Sequence, residues 1–253
     1  MSSHNKTILI TGATAGIGKA TAEALAVEGT QLILTGRRQE LLQTMAASLP
    51  VPVHCLAFDI RDRHAMEDAL ASLPQEFSAI DVLVNNAGLA LGLEPADSAN
   101  PEDWQVMVET NILGLIHITR QLLPGMKARE RGHIVNLSSI AGSYNYPGGN
   151  VYGATKAFVT HFSLNLKADL FGTPIRITNI EPGMVETDFS AVRFKGDRER
   201  AEAVYAGTEP LTAADIAETI RWAIAQPAHV NINRIEIMPV AQAPGGLQVK
   251  RNA

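Results

Sequence analysis

A tyrosine and a lysine stand four residues apart in the stretch YGATK, residues 152–156, inside a segment whose apolar residues recur every few positions. On a helix, residues four apart share one face about one turn from each other, so both side chains reach the same cleft. A free phenol has a pKa of about 10, too high to exchange protons readily at neutral pH. An ammonium beside it favours the tyrosinate, so Lys156 is expected to lower the pKa of Tyr152 and make it a usable acid–base group. Upstream, NLSSIAG brings Ser138 and Ser139 to the end of an apolar run, where a hydroxyl would face the same cleft. Such a hydroxyl donates to a carbonyl oxygen as the tyrosine protonates it, leaving the carbonyl carbon open to hydride. The chemistry these residues imply is carbonyl reduction and its reverse.

A second group of residues suits a cofactor. The stretch TGATAGIG, with Gly12, Gly16 and Gly18, follows the first apolar run and leads into a helical pattern. Glycines there allow a tight turn and let backbone N–H groups approach a pyrophosphate at the positive end of a helix. The spacing is GxxxGxG, which departs from the GxGxxG fingerprint, so its position in the chain carries the inference. In LILTGRR, at the end of the second run, an acidic residue would read a ribose 2′-hydroxyl. This chain has Arg37 and Arg38 instead, which favour a 2′-phosphate and hence NADP over NAD. Asp59, after the third run, either bonds the adenine amino group or caps the following turn.

The elements that must position these residues are legible as an alternation. Apolar runs at 7–11, 31–35, 53–58, 81–86, 133–139, 175–182 and 234–240 are short and rich in Ile, Leu and Val, and segments with helical spacing separate them. This predicts one α/β domain over 1–253, a Rossmann fold with a seven-stranded parallel sheet covered by helices on both faces. Ligands in such sheets sit beyond the carboxyl ends of the strands. Residues 185–207 break the alternation and are the candidate lid or substrate loop.

With 253 residues and 46% hydrophobic side chains the chain can bury one large core, and a formal net charge of −5 argues against nucleic acid or a polybasic membrane anchor. One cysteine, Cys55, permits no internal disulfide and suits a reducing compartment, so a cytoplasmic location is expected. No apolar run approaches the length of a membrane span or a signal-peptide core. The histidines lack the paired helical spacing of a metal site, and no metal is expected.

Taken together, TGATAGIG, NNAG at 85–88, Asn111, the serine pair and YGATK stand in the order and approximate spacing of the classical short-chain dehydrogenase/reductase family, which the chain resembles from end to end. The resemblance implies that Ser139, rather than Ser138, orients the carbonyl and that Tyr152 is the acid/base. It implies that Lys156 bonds the nicotinamide ribose and that Asn111 holds a water in a proton relay, with a structural, helix-bonding asparagine as the alternative. Gly12, Thr14, Gly16, Ile17 and Gly18 would form the pyrophosphate turn. Asn86 and Ala87 would lie beside the adenosine, with Gly88 allowing close approach. Pro182 and Gly183 would turn against the nicotinamide, joined by Val185, and the Thr187 hydroxyl would bond its carboxamide.

The stretches NNAGLALGLEPA, GGNVYGATKAFV, VRFKGD and PAHVNINRIEIMPV are similar to bacterial NADP-dependent 3-hydroxy acid dehydrogenases, a group that includes serine and allo-threonine dehydrogenases and malonic semialdehyde reductases. The implied reaction oxidises the β-hydroxyl of a small carboxylate, or reduces the semialdehyde. Such a substrate needs a cation, and Arg193 in the candidate lid is expected to pair its carboxylate, with Lys195 and His161 as weaker candidates. A general carbonyl reductase for bulkier ketones or aldehydes would share the catalytic residues and differ in its pocket. A redox-sensing regulator would have no need for Ser139, Tyr152 and Lys156 together. The apolar tail, residues 228–253, implies a homotetramer by the same resemblance.

Overall fold

The apolar runs form a seven-stranded parallel sheet in the computed structural model, which describes residues 6–244. Its strands are β1 (Lys6–Ile10), β2 (Thr30–Gly36), β3 (Val53–Ala57), β4 (Ile80–Asn85), β5 (His133–Leu137) and β6 (Arg176–Pro182). A separate two-strand ladder pairs β7 (Val185–Glu186) with β8 (Leu211–Thr212), and β9 (Arg234–Ile237) completes the main sheet. The spatial order is β3-β2-β1-β4-β5-β6-β9. The chain therefore winds outward from β1 in one direction and, beginning at β4, in the other, which makes the carboxyl ends of β1 and β4 the switch point.

Parallel neighbours require crossovers, and helices supply them. These are α1 (Gly16–Leu25), α2 (Gln39–Ser48), α3 (Arg63–Ala71), α4 (Pro101–Val108), α5 (Leu115–Ala128), α6 (Asn150–Asp169), α7 (Phe189–Arg193), α8 (Arg198–Ala203) and α9 (Ala213–Ala225). Alternation along each strand divides the apolar side chains between two cores. Ile8 and Ile10 join Leu25, Leu42, Ile216 and Ile220 under α1, α2 and α9, while Leu9 joins Met66, Ile118 and Leu166 under α3, α5 and α6.

Three details differ from the sequence reading. The helical pattern around 103–126 is not one continuous α-helix, because a π turn over Glu109–Gly114 separates α4 from α5. The segment 185–207 is not a bare loop, since it begins in β7 and carries the short helices α7 and α8. The last strand stops at Ile237 rather than at 240, two residues before Pro239, which lacks the N–H a ladder would need. Residues 245–253 of the expected oligomer tail lie outside the described residues.

Candidate active site

The end of β5 and the first two turns of α6 bring the catalytic candidates together. Ser138 Oγ donates to the Lys156 carbonyl at 2.6 Å and shares a hydrogen bond with Thr160 Oγ1 at 2.9 Å, so it ties the strand to the helix. Ser139 Oγ accepts from the Ala141 N–H at 3.1 Å, donates to the Pro182 carbonyl at 3.3 Å, and hydrogen-bonds Tyr152. Position thus separates two adjacent serines that residue type could not.

Tyr152 and Lys156 are both buried. Burial pushes the Tyr152 phenol up to about 12, the neighbouring Tyr146 acts in the same direction, and the Ser139 hydrogen bond and the Arg193 charge pull it down. Burial also lowers Lys156 to about 8. Its Nζ donates to the Leu137 carbonyl at 2.9 Å and stands 5.9 Å from the centre of the Tyr152 ring. The expected depression of the tyrosine pKa by Lys156 is therefore not what the protein groups produce. The ammonium is held by a backbone carbonyl, and the cation acting on the phenol is Arg193.

Asn111 stands in the π turn. Its Oδ1 accepts from the Leu89 N–H at 2.9 Å, and its Nδ2 donates to the Leu89 carbonyl at 2.8 Å and to Thr155 Oγ1 at 3.0 Å. The amide joins the π turn, the segment after β4 and α6, which is the helix-bonding arrangement. Gly88 lies beside it. A Cβ at that position would come within 3.3 Å of Asn111 Oδ1 and 3.4 Å of Lys156 Nζ, so glycine keeps the approach to the lysine open.

At the switch point, Gly12 and Gly16 adopt φ of +66° and +51°, conformations that side chains disfavour. The turn is braced from β4: the N–H groups of Asn86 and Ala87 donate to Thr11 Oγ1, and Asn86 Nδ2 donates to the carbonyls of Thr11 and Gly12. Thr11 was not among the expected site residues, and its place as the first letter of TGATAGIG was the available signal. No side chain caps the start of α1, and its first turn carries no acidic residue, as an anion-binding helix end requires. Thr187 faces Gly16 across this turn, with its Cβ at 3.4 Å from where a Gly16 Cβ would be, and its Oγ1 accepts from the Phe189 N–H at 3.2 Å. Ile17 and Val185 pack against the first core. The Gly183 N–H donates to the Ile237 carbonyl at 2.7 Å, which fixes the turn after Pro182 to β9.

Arg37 and Arg38 are exposed beyond β2, and Arg38 Nη2 donates to Thr14 Oγ1 at 2.8 Å, pointing back to the glycine turn. Asp59 caps the turn it begins: it accepts from the Arg61 N–H at 3.0 Å and from the Arg61 guanidinium at 2.7 Å. That hydrogen bond, with the charges of Arg61 and Arg37, holds its carboxyl below the usual range. The glycine turn, the uncapped helix start, the open approach at Gly88 and the arginine pair together fit a phosphorylated dinucleotide.

Arg193, at the end of α7, projects over Tyr152, with its guanidinium carbon 5.4 Å from the centre of the Tyr152 ring and 5.6 Å from that of Tyr146. Lys195 pairs instead with Asp103 at 2.8 Å, and His161 is exposed on α6. Among the described residues no group of three or more His, Cys, Asp or Glu could hold a metal ion, and no helix is long and apolar enough to cross a membrane.

A winding of this kind, with a serine, tyrosine and lysine beyond the carboxyl ends of its strands, defines a nucleotide-dependent oxidoreductase. Residues 6–198 match the short chain dehydrogenase family. The chain is 55% identical over 246 residues to the NADP-dependent 3-hydroxy acid dehydrogenase YdfG of Salmonella typhi, covering 97% of this chain and 99% of the relative. It is 54% identical over 247 residues to the serine 3-dehydrogenase of Agrobacterium fabrum, covering 98% and 99%. Among solved structures, the closed form of a serine dehydrogenase complexed with NADP+ superposes with a TM-score of 0.95 at 53% identity, over 97% of this chain and all of that one. The chain belongs to the short-chain dehydrogenase family and is an oxidoreductase.

Proposed function

We propose that the chain oxidises the C3 hydroxyl of small 3-hydroxy acids of the L-serine, L-allo-threonine and 3-hydroxypropionate type with NADP+, and reduces the corresponding semialdehydes with NADPH. The observation that carries this reading is the Arg193 guanidinium standing 5.4 Å over the Tyr152 ring, a cation for a carboxylate beside the proton-transfer group. The dependence of the YdfG relatives on NADP and the exposed Arg37 and Arg38 support the choice of cofactor.

In this reading Arg37 and Arg38 hold the 2′-phosphate, while Gly12, Thr14, Gly16, Ile17 and Gly18 cradle the pyrophosphate. Asp59, Asn86, Ala87 and Gly88 flank the adenosine half. Lys156 holds the nicotinamide ribose, and Pro182, Gly183, Val185 and Thr187 line the nicotinamide. When bound, NADP+ supplies the hydride acceptor. Arg193 fixes the substrate carboxylate, Ser139 donates to the substrate oxygen, and the Tyr152 oxygen takes the hydroxyl proton as the C3–H bond breaks. Asn111 keeps Leu89 and α6 in register beside Lys156, and a water held at the same amide would return the proton to solvent.

The reading takes the chain to be one domain and a cytoplasmic homotetramer. A single cysteine suits a reducing compartment, and the fully exposed Val240 and largely exposed Phe171 are apolar side chains that subunit contacts would cover. NADP+ reduction with L-serine, D-serine, L-allo-threonine, 3-hydroxypropionate and 3-hydroxyisobutyrate, each repeated with NAD+, tests it. Turnover with NADP+ on several of these is the expected result. Failure on all of them, with NADPH still bound and bulky carbonyls reduced, would replace it with a general carbonyl reductase.

A further inference from the structure

Arg193 is held in a way that a solvated loop arginine is not. Its backbone carbonyl accepts from the Gly92 N–H at 3.0 Å, and its Nε donates back to the Gly92 carbonyl at 3.1 Å. This reciprocal pair pins the end of α7 to the segment after β4. The far end of the guanidinium is fixed separately, by Nη2 donating to the Tyr146 hydroxyl at 2.7 Å. Both acceptors are uncharged, and among the described residues no carboxylate pairs with Arg193. The arginine is therefore oriented without its charge being neutralised.

The Tyr146 ring is itself firmly seated. Half-buried, it packs against the small buried cluster of Ala90, Met107, Ala141 and Tyr152. Its carbonyl accepts from the Gly149 N–H at 3.0 Å, and a Cβ on Gly149 would lie 2.7 Å from its Cε1. We propose that Tyr146 is a specificity-determining positioning residue: its hydroxyl aims the Arg193 guanidinium over Tyr152 at a substrate carboxylate, so that acids are selected over neutral alcohols of the same size. The proposal rests on the reading of Arg193 as the carboxylate clamp. Pre-orientation matters because a flexible cation gives up conformational freedom when it captures an anion, whereas one already held does not.

The Gly92 pair stays in place when the Tyr146 hydroxyl is removed, so Tyr146→Phe frees the guanidinium tip without detaching α7. The test measures kcat and KM with saturating NADP+ on 3-hydroxypropionate and on 1,3-propanediol, in which a neutral CH2OH replaces the carboxylate. Inhibition by propionate gives the same information where the diol turns over too slowly. In Tyr146→Phe the acid-to-diol ratio of kcat/KM should fall about tenfold, through the KM for the acid, and the propionate inhibition constant should rise by a similar factor. Arg193→Met should remove the preference altogether. Equal losses on both substrates, or an unchanged propionate constant in Tyr146→Phe while Arg193→Met abolishes the preference, would overturn the role of Tyr146 and leave the clamp standing. A preference that survives Arg193→Met would overturn the clamp and this proposal together. A native enzyme inactive on every 3-hydroxy acid would overturn the functional reading itself.

Discussion

Tyr152 and Lys156 are buried and titrate far from their ordinary values, whereas Arg37 and Arg38, beyond the end of β2, stand in solvent. Around Tyr152 the groups are withdrawn from water and each is held on a neighbour: Lys156 on the Leu137 carbonyl, Tyr152 on Ser139, Ser139 on Pro182. Beyond β2 the cations stay exposed, and Arg38 donates one hydrogen bond to Thr14. The difference suits the roles proposed for the two ends. Proton transfer needs a pKa set by a low-dielectric surrounding, while recognition of a phosphate needs charge that can be met and released.

The largest effect should come from the buried end. Tyr152→Phe should lower turnover by about a thousandfold while the NADPH dissociation constant stays within about twofold, because the ring packing is kept and only the proton carrier is lost. Single-turnover rates and fluorescence titration check this, and a variant retaining more than a tenth of the native rate would sink the acid–base assignment. At the exposed end, replacing Arg37 and Arg38 with alanine should weaken NADP+ binding roughly thirtyfold at low salt and NAD+ binding much less, a gap that shrinks as salt screens the charges. Equal losses for the two cofactors would mean that the arginines do not read the 2′-phosphate.

The response to pH separates the two ends. In the proposed oxidation Tyr152 accepts a proton, so its useful form is the tyrosinate. Burial has pushed its pKa up to about 12, so that form is scarce at neutral pH and grows with every step upward. The kcat/KM for a 3-hydroxy acid should therefore rise with pH from 7 to 10, by up to about tenfold per unit, while reduction, which uses the protonated phenol, should not rise. A flat oxidative profile would show that burial does not govern the tyrosine. Cofactor binding at the exposed arginines should vary little over the same range, since a guanidinium keeps its proton throughout.

Much of the fold was legible because alternating apolar runs and helical segments leave few topologies. All seven expected sheet strands are present, and in β1 the alternation of Ile8, Leu9 and Ile10 assigns side chains to opposite cores. The π turn at Glu109–Gly114 and the helices α7 and α8 were not legible, since short segments are shaped by what they pack against. Tyr152, Lys156 and the glycine turn could be read from spacing, and the family resemblance supplied Ser139. Tyr146 was missed. Its only mark in the sequence is an aromatic residue in a Gly- and Pro-containing stretch, and its meaning depends on a contact with Arg193, 47 positions away.

The order of strands and helices, the Tyr152–Lys156 pair on one helical face, and Arg37 and Arg38 in place of an acidic residue directly at the end of β2 are readable from the chain alone, because they depend on residue type and near spacing. The folded structure was needed to show that Ser138 ties β5 to α6, that burial rather than Lys156 dominates the phenol pKa, that Asp59 caps its own turn, and that Arg193 lies over Tyr152. Each of these depends on solvent exclusion or on a bond between groups brought together by folding, and such effects act through space with no fixed separation along the chain.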